Sequence, residues 1–469
     1  MISLAYRRMA AGGLAGFLGA LAMLFLPSGI GANPFLVVVS GTAAGALFAA
    51  ALGSRPLGPG ATLVWGLGGA FVLWMAGCAL DLVTSGAFRG GSMLDIARVH
   101  FAALVGLSLA GILFGFVAGT FGVSPEPGRA RLRVARALCG GGFAGIVGGW
   151  AFGKWMEQAG FFPLIAGIVG SNSAHVGAAL HFAIAILIGA SFGLLFQREI
   201  RGVGSSLGWG AAYGVLWWFL GPLTLLPLLE GARPDWSVAH AAGLFGSLVG
   251  HIVYGIIVGL LYAVVDDLWR WLFERSDPLN RQAEGAGILA LSSIARGAAA
   301  SIGGGLLFSV VMVRTDQLSR VAQLVGAHSS VAGFFVHLVI SALIGASYGV
   351  FFHDEATDDR IALAWGSLYG LIWWFLGPLT LFPILLGGQF TWTTVAASEG
   401  VPSLLGHLLY GMGLAVAFRA LERRHLAHLF IDARLRKSWL RRRRPAGSPT
   451  PALLLFFIAV GTLVPIILT

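Results

Sequence analysis

The sequence predicts an all-α, polytopic integral membrane protein, and three observations carry the prediction. Of 469 residues, 57% are hydrophobic and 11% are charged, against roughly a quarter charged in soluble domains. Mean hydropathy is +0.84, so a soluble fold would have too little polar surface to show to water. The same composition excludes a disordered chain, which is polar and poor in aromatics. Third, the apolar residues fall into thirteen stretches, each near the roughly 20 residues that a membrane-crossing helix needs, and the polar residues between them leave no room for a soluble domain.

The stretches run near 9–27, 35–53, 61–83, 99–120, 137–156, 176–197, 206–229, 243–265, 297–313, 331–352, 362–387, 402–419 and 452–468. The first follows Arg7 and Arg8 and has the form of a signal peptide, but the repeat described below argues against cleavage. With the N-terminus inside, Arg55, the Arg129–Arg136 cluster, Arg198, Arg201, Arg270, Arg275, Arg281, Arg360 and the run from Arg423 to Arg444 also lie inside. The opposite loops carry only Arg89, Arg98, Arg233, Arg314 and Arg320. That asymmetry is the positive-inside pattern, and it puts the C-terminus outside after a thirteenth span. The net charge of +10 is concentrated in the 423–444 run. Such a run anchors against anionic lipid; without a folded platform or interleaved aromatics, it does not read as a nucleic-acid surface.

Internal repetition organises the chain. Trp209–Gly231 reads WGAAYGVLWWFLGPLTLLPLLEG and Trp365–Gly387 reads WGSLYGLIWWFLGPLTLFPILLG, 156 residues apart. The same offset carries His181 onto His337, Gly189 onto Gly345, Trp236 onto Trp392, His251 onto His407 and Tyr254 onto Tyr410. A fainter first copy matches Trp65, Gly66, Trp74 and Gly77 to Trp209, Gly210, Trp218 and Gly221, and sets His100 opposite His251. The expected organisation is therefore a divergent four-helix repeat over 1–125, a second over 126–285 and a third over 286–422. A basic cytoplasmic linker follows over 423–450, then a C-terminal transmembrane helix over 451–469. Four spans per copy is an even number, so the three repeats are parallel. The last helix has no counterpart in the repeats, which are expected to bury one another and leave it dispensable.

Glycines three or four apart, such as Gly141, Gly145, Gly148 and Gly149, supply the close packing that helices use in lipid. The twice-repeated Trp-Trp-Phe-Leu-Gly-Pro-Leu-Thr segment is a helix break. Pro222 and Pro378 each remove a backbone donor, and Thr224 and Thr380 are placed to satisfy some of the freed carbonyls. Such a break either lines a polar site or shapes the bundle as a kink. On the first reading Trp218, Pro222, Thr224 and His251, with Trp374, Pro378, Thr380 and His407, are substrate-binding residues.

Five histidines, His100, His181, His251, His337 and His407, fall in the outer halves of spans. Three readings are open to them. Pairing His181 with His251 and His337 with His407 could ligate haem b or another tetrapyrrole pigment. The same residues could line a polar vestibule, or each could hydrogen-bond a neighbouring helix as structural glue. Asp81, Glu157, Glu230 and Glu399 lie at outer span ends, which argues against a carboxylate proton relay. Lys154 reads as a surface partner of Glu157. Cys78 and Cys139 read as buried apolar thiols, and neither a metal site nor a catalytic motif is present.

Each of the last two repeats resembles the YagU-like family of bacterial inner-membrane proteins. The resemblance rests on the Gly-rich first helix, on His337, Ser341, Gly345, Tyr348 and Gly349 in the second, on Pro378 and Pro383 in the third, and on Gly406-His407-Leu408 opening the fourth. It covers about 130 residues of each repeat, and the first repeat more weakly. This chain departs from the family in being a triplication with an added helix. The resemblance implies a bacterial inner-membrane location and a link to acid resistance, and brings no reaction with it. The expected function is that of a non-enzymatic, cofactor-free protein that carries or gates a small neutral solute or ion through an outward-facing polar site. Alternatives are a haem- or pigment-binding subunit of a larger electron-transfer or photosynthetic complex, and a structural or assembly subunit. The expected partners are the lipid bilayer and other membrane-complex subunits, with no nucleic acid.

Overall fold

Lipid offers no hydrogen bonds, so a spanning segment must satisfy its backbone internally, and apolar runs rich in Ala, Leu and Gly do so as helices. The computed structural model describes residues 4–25, 33–51, 58–84, 92–121, 130–200, 202–273, 286–355, 358–429 and 450–468, and these are helical with no strand. A long helix overlaps each of the thirteen apolar stretches over the described residues. These are α1 (Leu4–Phe25), α2 (Pro34–Ala51), α3 (Pro59–Thr84), α5 (Phe101–Phe121), α6 (Ala130–Gln158), α8 (Ala174–Phe196), α9 (Val203–Leu220), α12 (Phe245–Phe273), α13 (Ala286–Arg314), α15 (Ser330–Phe352), α16 (Asp359–Leu376), α19 (Val401–Leu429) and α20 (Thr450–Ile467). Short helices stand between them: α4 (Met93–Val99), α7 (Phe162–Ala166), α10 (Leu226–Leu229), α11 (Val238–Gly243), α14 (Leu318–Ala322), α17 (Phe382–Leu385) and α18 (Thr394–Glu399). Among the described residues, ten helices are long and apolar enough to cross a membrane, and two further apolar helices are shorter. The chain is thus a multi-pass membrane protein.

It divides into two units: Met1–Glu199, Trp209–Tyr262 and Phe457–Thr469 form the first, and Ile200–Gly208 with Ala263–Phe456 the second. In the first unit α3 meets α5 where Gly66 and Gly111 face each other's carbonyls, and α9 meets α12 at Gly210 and Gly255. In the second, α16 meets α19 at Gly366 and Gly411. A Cβ at any of these glycines would overlap the opposing backbone, so the close crossing requires glycine.

The approach to the last helix of each set is held by a tryptophan. Trp74 donates its indole N–H to the His100 carbonyl at 2.8 Å, Trp218 to Leu244 at 3.3 Å and Trp374 to Gly400 at 3.0 Å. This bond corrects the register of His100. It stands with Leu244 and Gly400 at the junction between a short helix and a long one, whereas the Gly111–Gly255 correspondence places Leu107 at the position of His251. The imidazole of His100 instead meets the Asp81 carboxylate at 2.9 Å.

The last helix also departs from expectation. Leu455, Ile458, Leu463 and Ile466 of α20 are buried. In the first unit Gly461 lies directly against the Phe71 ring, and the Arg98 guanidinium donates to the Leu468 carbonyl. This helix is packed into the protein and is not an appendage. Cys78 is buried as expected, but Cys139 is exposed on α6. The basic segment from Arg434 to Arg444 lies outside the described residues.

Candidate functional site

In the first unit the two histidines are brought together around a phenylalanine. His181 on α8 bonds through Nε2 to the Gly149 carbonyl of α6 at 2.9 Å. His251 on α12 donates its Nδ1–H to the carbonyl of Ser247, one turn earlier, at 2.7 Å. The Phe152 ring lies against both imidazoles, with centroids 5.7 Å and 5.0 Å away. The second unit repeats the arrangement: His337 bonds to the Gly305 carbonyl at 3.2 Å and His407 to the Ser403 carbonyl at 2.8 Å. Phe308 stands 5.0 Å and 4.6 Å from their rings. The glycine that precedes His251 or His407, Gly250 or Gly406, is where the phenylalanine packs: a Cβ there would strike its ring. Phe152 and Phe308 were legible in principle, since they share the 156-residue offset, but an apolar ring on an apolar helix has no distinctive pattern.

The two histidines of a pair use their rings differently. His181 and His337 tie one helix to another. His251 and His407 are anchored to their own helices through Nδ1, which leaves Nε2 as the lone-pair nitrogen of the neutral ring. That nitrogen faces the helix break: a Cβ on Gly221 would stand 3.9 Å from His251 Nε2, and one on Gly377 would stand 3.4 Å from His407 Nε2.

The break itself is a π-turn, Gly221–Leu225 in the first unit and Gly377–Leu381 in the second. Proline prevents the α-ladder from continuing, and a wider turn absorbs the residue left over. Thr224 donates its hydroxyl to the Phe219 carbonyl at 2.8 Å and Thr380 to Phe375 at 2.7 Å. Trp236 donates to the Leu223 carbonyl at 3.1 Å, whereas its counterpart Trp392 donates to the Thr380 hydroxyl at 2.8 Å. Trp218 and Trp374 are fully buried, and their indoles are committed to the junctions described above. Of the eight residues expected to bind a substrate, Thr224 and Thr380 are therefore engaged in holding the break and Trp218 and Trp374 in holding the junctions, while Pro222 and Pro378 create the break. His251 and His407 alone turn an available polar atom toward it.

The arrangement does not fit a haem. Two axial imidazoles must direct free nitrogens at one iron, but a phenyl ring stands against both members of each pair, and the bonds of His181 and His337 through Nε2 to helix carbonyls leave them only Nδ1 to offer. No group of three or more His, Cys, Asp or Glu side chains positioned for a metal occurs among the described residues. Lys154 and Glu157 form an exposed pair at 3.2 Å.

Four carboxylates other than those at the outer span ends are enclosed to some degree. Asp266, Glu355 and Glu422 are buried and Glu199 is half-buried. Glu422 pairs with Arg296 at 3.1 Å. Asp266 and Glu422 are 156 residues apart, as are Glu199 and Glu355, so the repeat itself marks them as positions of one kind. Comparison with known proteins gives no match: no family fits the chain, and no curated protein or solved structure is significantly similar to it.

Proposed function

We propose that this is a non-enzymatic multi-pass protein of a bacterial inner membrane, built of three parallel four-helix repeats and a thirteenth, C-terminal helix. Its N-terminus is cytoplasmic and its C-terminus external, as the distribution of arginines favours. The second and third repeats each offer a small solute or ion a polar site in the outer half of the membrane. The observation that carries this reading is the Nε2 atom of His251 and of His407, left unbonded by the Nδ1 anchor and directed at the Gly-Pro turn. An ionisable side chain inside a membrane is costly to keep, which makes it a candidate functional group. Kinship with YagU-like proteins, resting on the residues named above, belongs to the same proposal.

Proteoliposomes holding the full chain and a trapped pH-sensitive dye test it, with protons and alkali cations as probes. The expected result is a flux that the His251→Gln/His407→Gln double variant loses while remaining folded. An equal flux in the double variant would remove the site from the proposal.

A second reading, a structural or assembly subunit of a membrane complex, is favoured by the hydrogen bonds that Thr224 and Trp236 make to carbonyls of the break. It predicts no flux, and co-purification from native membranes with defined partner subunits.

A further inference from the structure

Glu355 lies in the turn that follows α15 and is 1% exposed. Its Oε1 accepts the backbone N–H of Ser205, in the first turn of α9, at 2.9 Å. A helix N-terminus presents unsatisfied amides and a positive dipole end, so a carboxyl is a natural cap there. Gly202 makes the approach possible, because a Cβ at that position would overlap the same oxygen. In the first unit Glu199, the residue 156 positions earlier, caps α3 in the same way, accepting the Gly58 N–H at 2.7 Å. The two differ in surroundings, Glu199 being half-buried and Glu355 closed off.

The consequence falls on the other oxygen. Glu355 Oε2 is buried and has no hydrogen-bond partner among the described residues. A charged oxygen left bare in the interior is strongly disfavoured. Among the described residues, no cationic side chain hydrogen-bonds it. His353 and Asp354, on the same turn, face each other at 3.4 Å. Tyr348, on the preceding turns of α15, keeps a buried hydroxyl that also lacks a partner. Ser205 of α9 and Gly202, just before that helix, are the uncharged residues in contact with it. At the start of α16, Asp358 accepts the amides of Arg360 and Ile361, and Asp359 lies 3.9 Å from Arg419 and Arg423. A bound metal ion would need about six oxygen ligands, and here one oxygen is unspent. A proton needs only that one.

We propose that Glu355 is a proton-binding site, taking up a proton on Oε2 while Oε1 keeps the Ser205 amide. The α15–α9 link then persists in both states, and what changes is the charge buried beneath it. Burial pushes the Glu355 carboxyl up to about 7; the Ser205 hydrogen bonds oppose the rise, Asp354 adds to it and His353 offsets it. The folded-state value lies above the ordinary 4.5, so between the two the folded protein holds more protons than the unfolded chain. Stability is then fully present below about pH 4.5 and declines as pH rises to about 7, after which this group contributes no further change.

Infrared difference spectra of the purified full-length protein, recorded across about pH 4 to about pH 9, provide the test. The expected result is a protonated-carboxyl band that is lost with a midpoint near 7, absent from Glu355→Gln and retained in Glu199→Gln. If Glu355→Gln does not fold, Glu355→Asp is the second variant, and its band must move in midpoint. A titrating band unchanged in the Glu355 variant, or a wild-type midpoint near the ordinary 4.5, would overturn the proposal. A midpoint that follows sodium or potassium concentration at constant ionic strength would assign the site to a cation and overturn it equally.

Discussion

Trp374 donates its indole N–H to the carbonyl of Gly400 at 3.0 Å, and by doing so ties the break-bearing helix to the start of α19. The same carbonyl also accepts the Leu404 amide at 2.9 Å, so the indole adds a second bond to a group already inside the helical ladder. Trp218 and Trp74 hold Leu244 and His100 in the same manner, at 3.3 Å and 2.8 Å. Replacing Trp374 by Phe deletes this bond without leaving the carbonyl bare, and a cost of roughly 1–2 kcal/mol is expected. Trp218→Phe should cost less, its bond being the longest. Thermal unfolding in detergent ranks the two, and an equal or reversed ranking would show that ring packing outweighs the bond.

Glycine substitutions should separate into two classes. Gly366 meets the Gly411 carbonyl, so a methyl group there must push two helices apart, and Gly366→Ala is expected to destabilise by about 1–3 kcal/mol. Gly303 is also helical, but a Cβ there meets nothing within 4 Å. Gly303→Ala should stabilise by up to about 1 kcal/mol, because alanine loses less backbone entropy. Melting temperatures that fell together would refute the distinction between contact glycines and merely helical ones.

The helices were legible because each is a continuous apolar run, and such a run has one stable form in lipid. The breaks at Pro222 and Pro378 were legible for a related reason, since proline removes a specific bond wherever it stands. Other features depend on where helices meet, which a single sequence does not state. His100 looked like a partner of His251 because both are histidines near the start of a span, yet the Trp74 bond registers it elsewhere. Phe152 is indistinguishable in sequence from any lipid-facing phenylalanine. Glu355 follows its span by three residues and resembles an exposed loop acid; only its contact with Ser205, 150 residues away, shows that it is enclosed. The burial of α20 was hidden similarly, since a helix outside the repeat gives no sign of what it packs on.

That burial yields a prediction opposite to the one the repeat suggests. Gly461 sits against the Phe71 ring, and the side chains of Leu455, Ile458, Leu463 and Ile466 are enclosed. Removing residues 446–469 should therefore leave apolar surface of the repeats unmatched and reduce the folded, membrane-inserted yield. A less drastic probe is Gly461→Leu, which overfills the contact with Phe71 and should cost about 1–3 kcal/mol. Size-exclusion profiles of detergent extracts report both. A truncated chain as monodisperse and heat-stable as the full protein would show that α20 covers the repeats without stabilising them.

The histidines should divide by what each ring nitrogen does. His181 and His337 make bonds between helices, to Gly149 and Gly305, so replacing either with Leu removes an interhelical tie worth roughly 1–2 kcal/mol in lipid. Gln at the same positions keeps a donor and should recover most of that loss. For His251 and His407 the anchoring bond lies within one helix, to Ser247 and Ser403, and its removal should cost less than the interhelical one. The functional effect should run the other way. His251→Gln and His407→Gln abolish the nitrogen facing Gly221 and Gly377, and any flux through the protein should fall with them, whereas His181→Gln and His337→Gln should leave it largely intact. Thermal stability and proteoliposome flux, measured on the same four single variants, give two independent rankings. If His251 and His407 governed stability and His181 and His337 governed flux, the division of roles drawn from the hydrogen bonds would be wrong. If all four affected stability alone, the rings would be interhelical and intrahelical ties with no solute to meet, and the assembly reading would stand in place of transport.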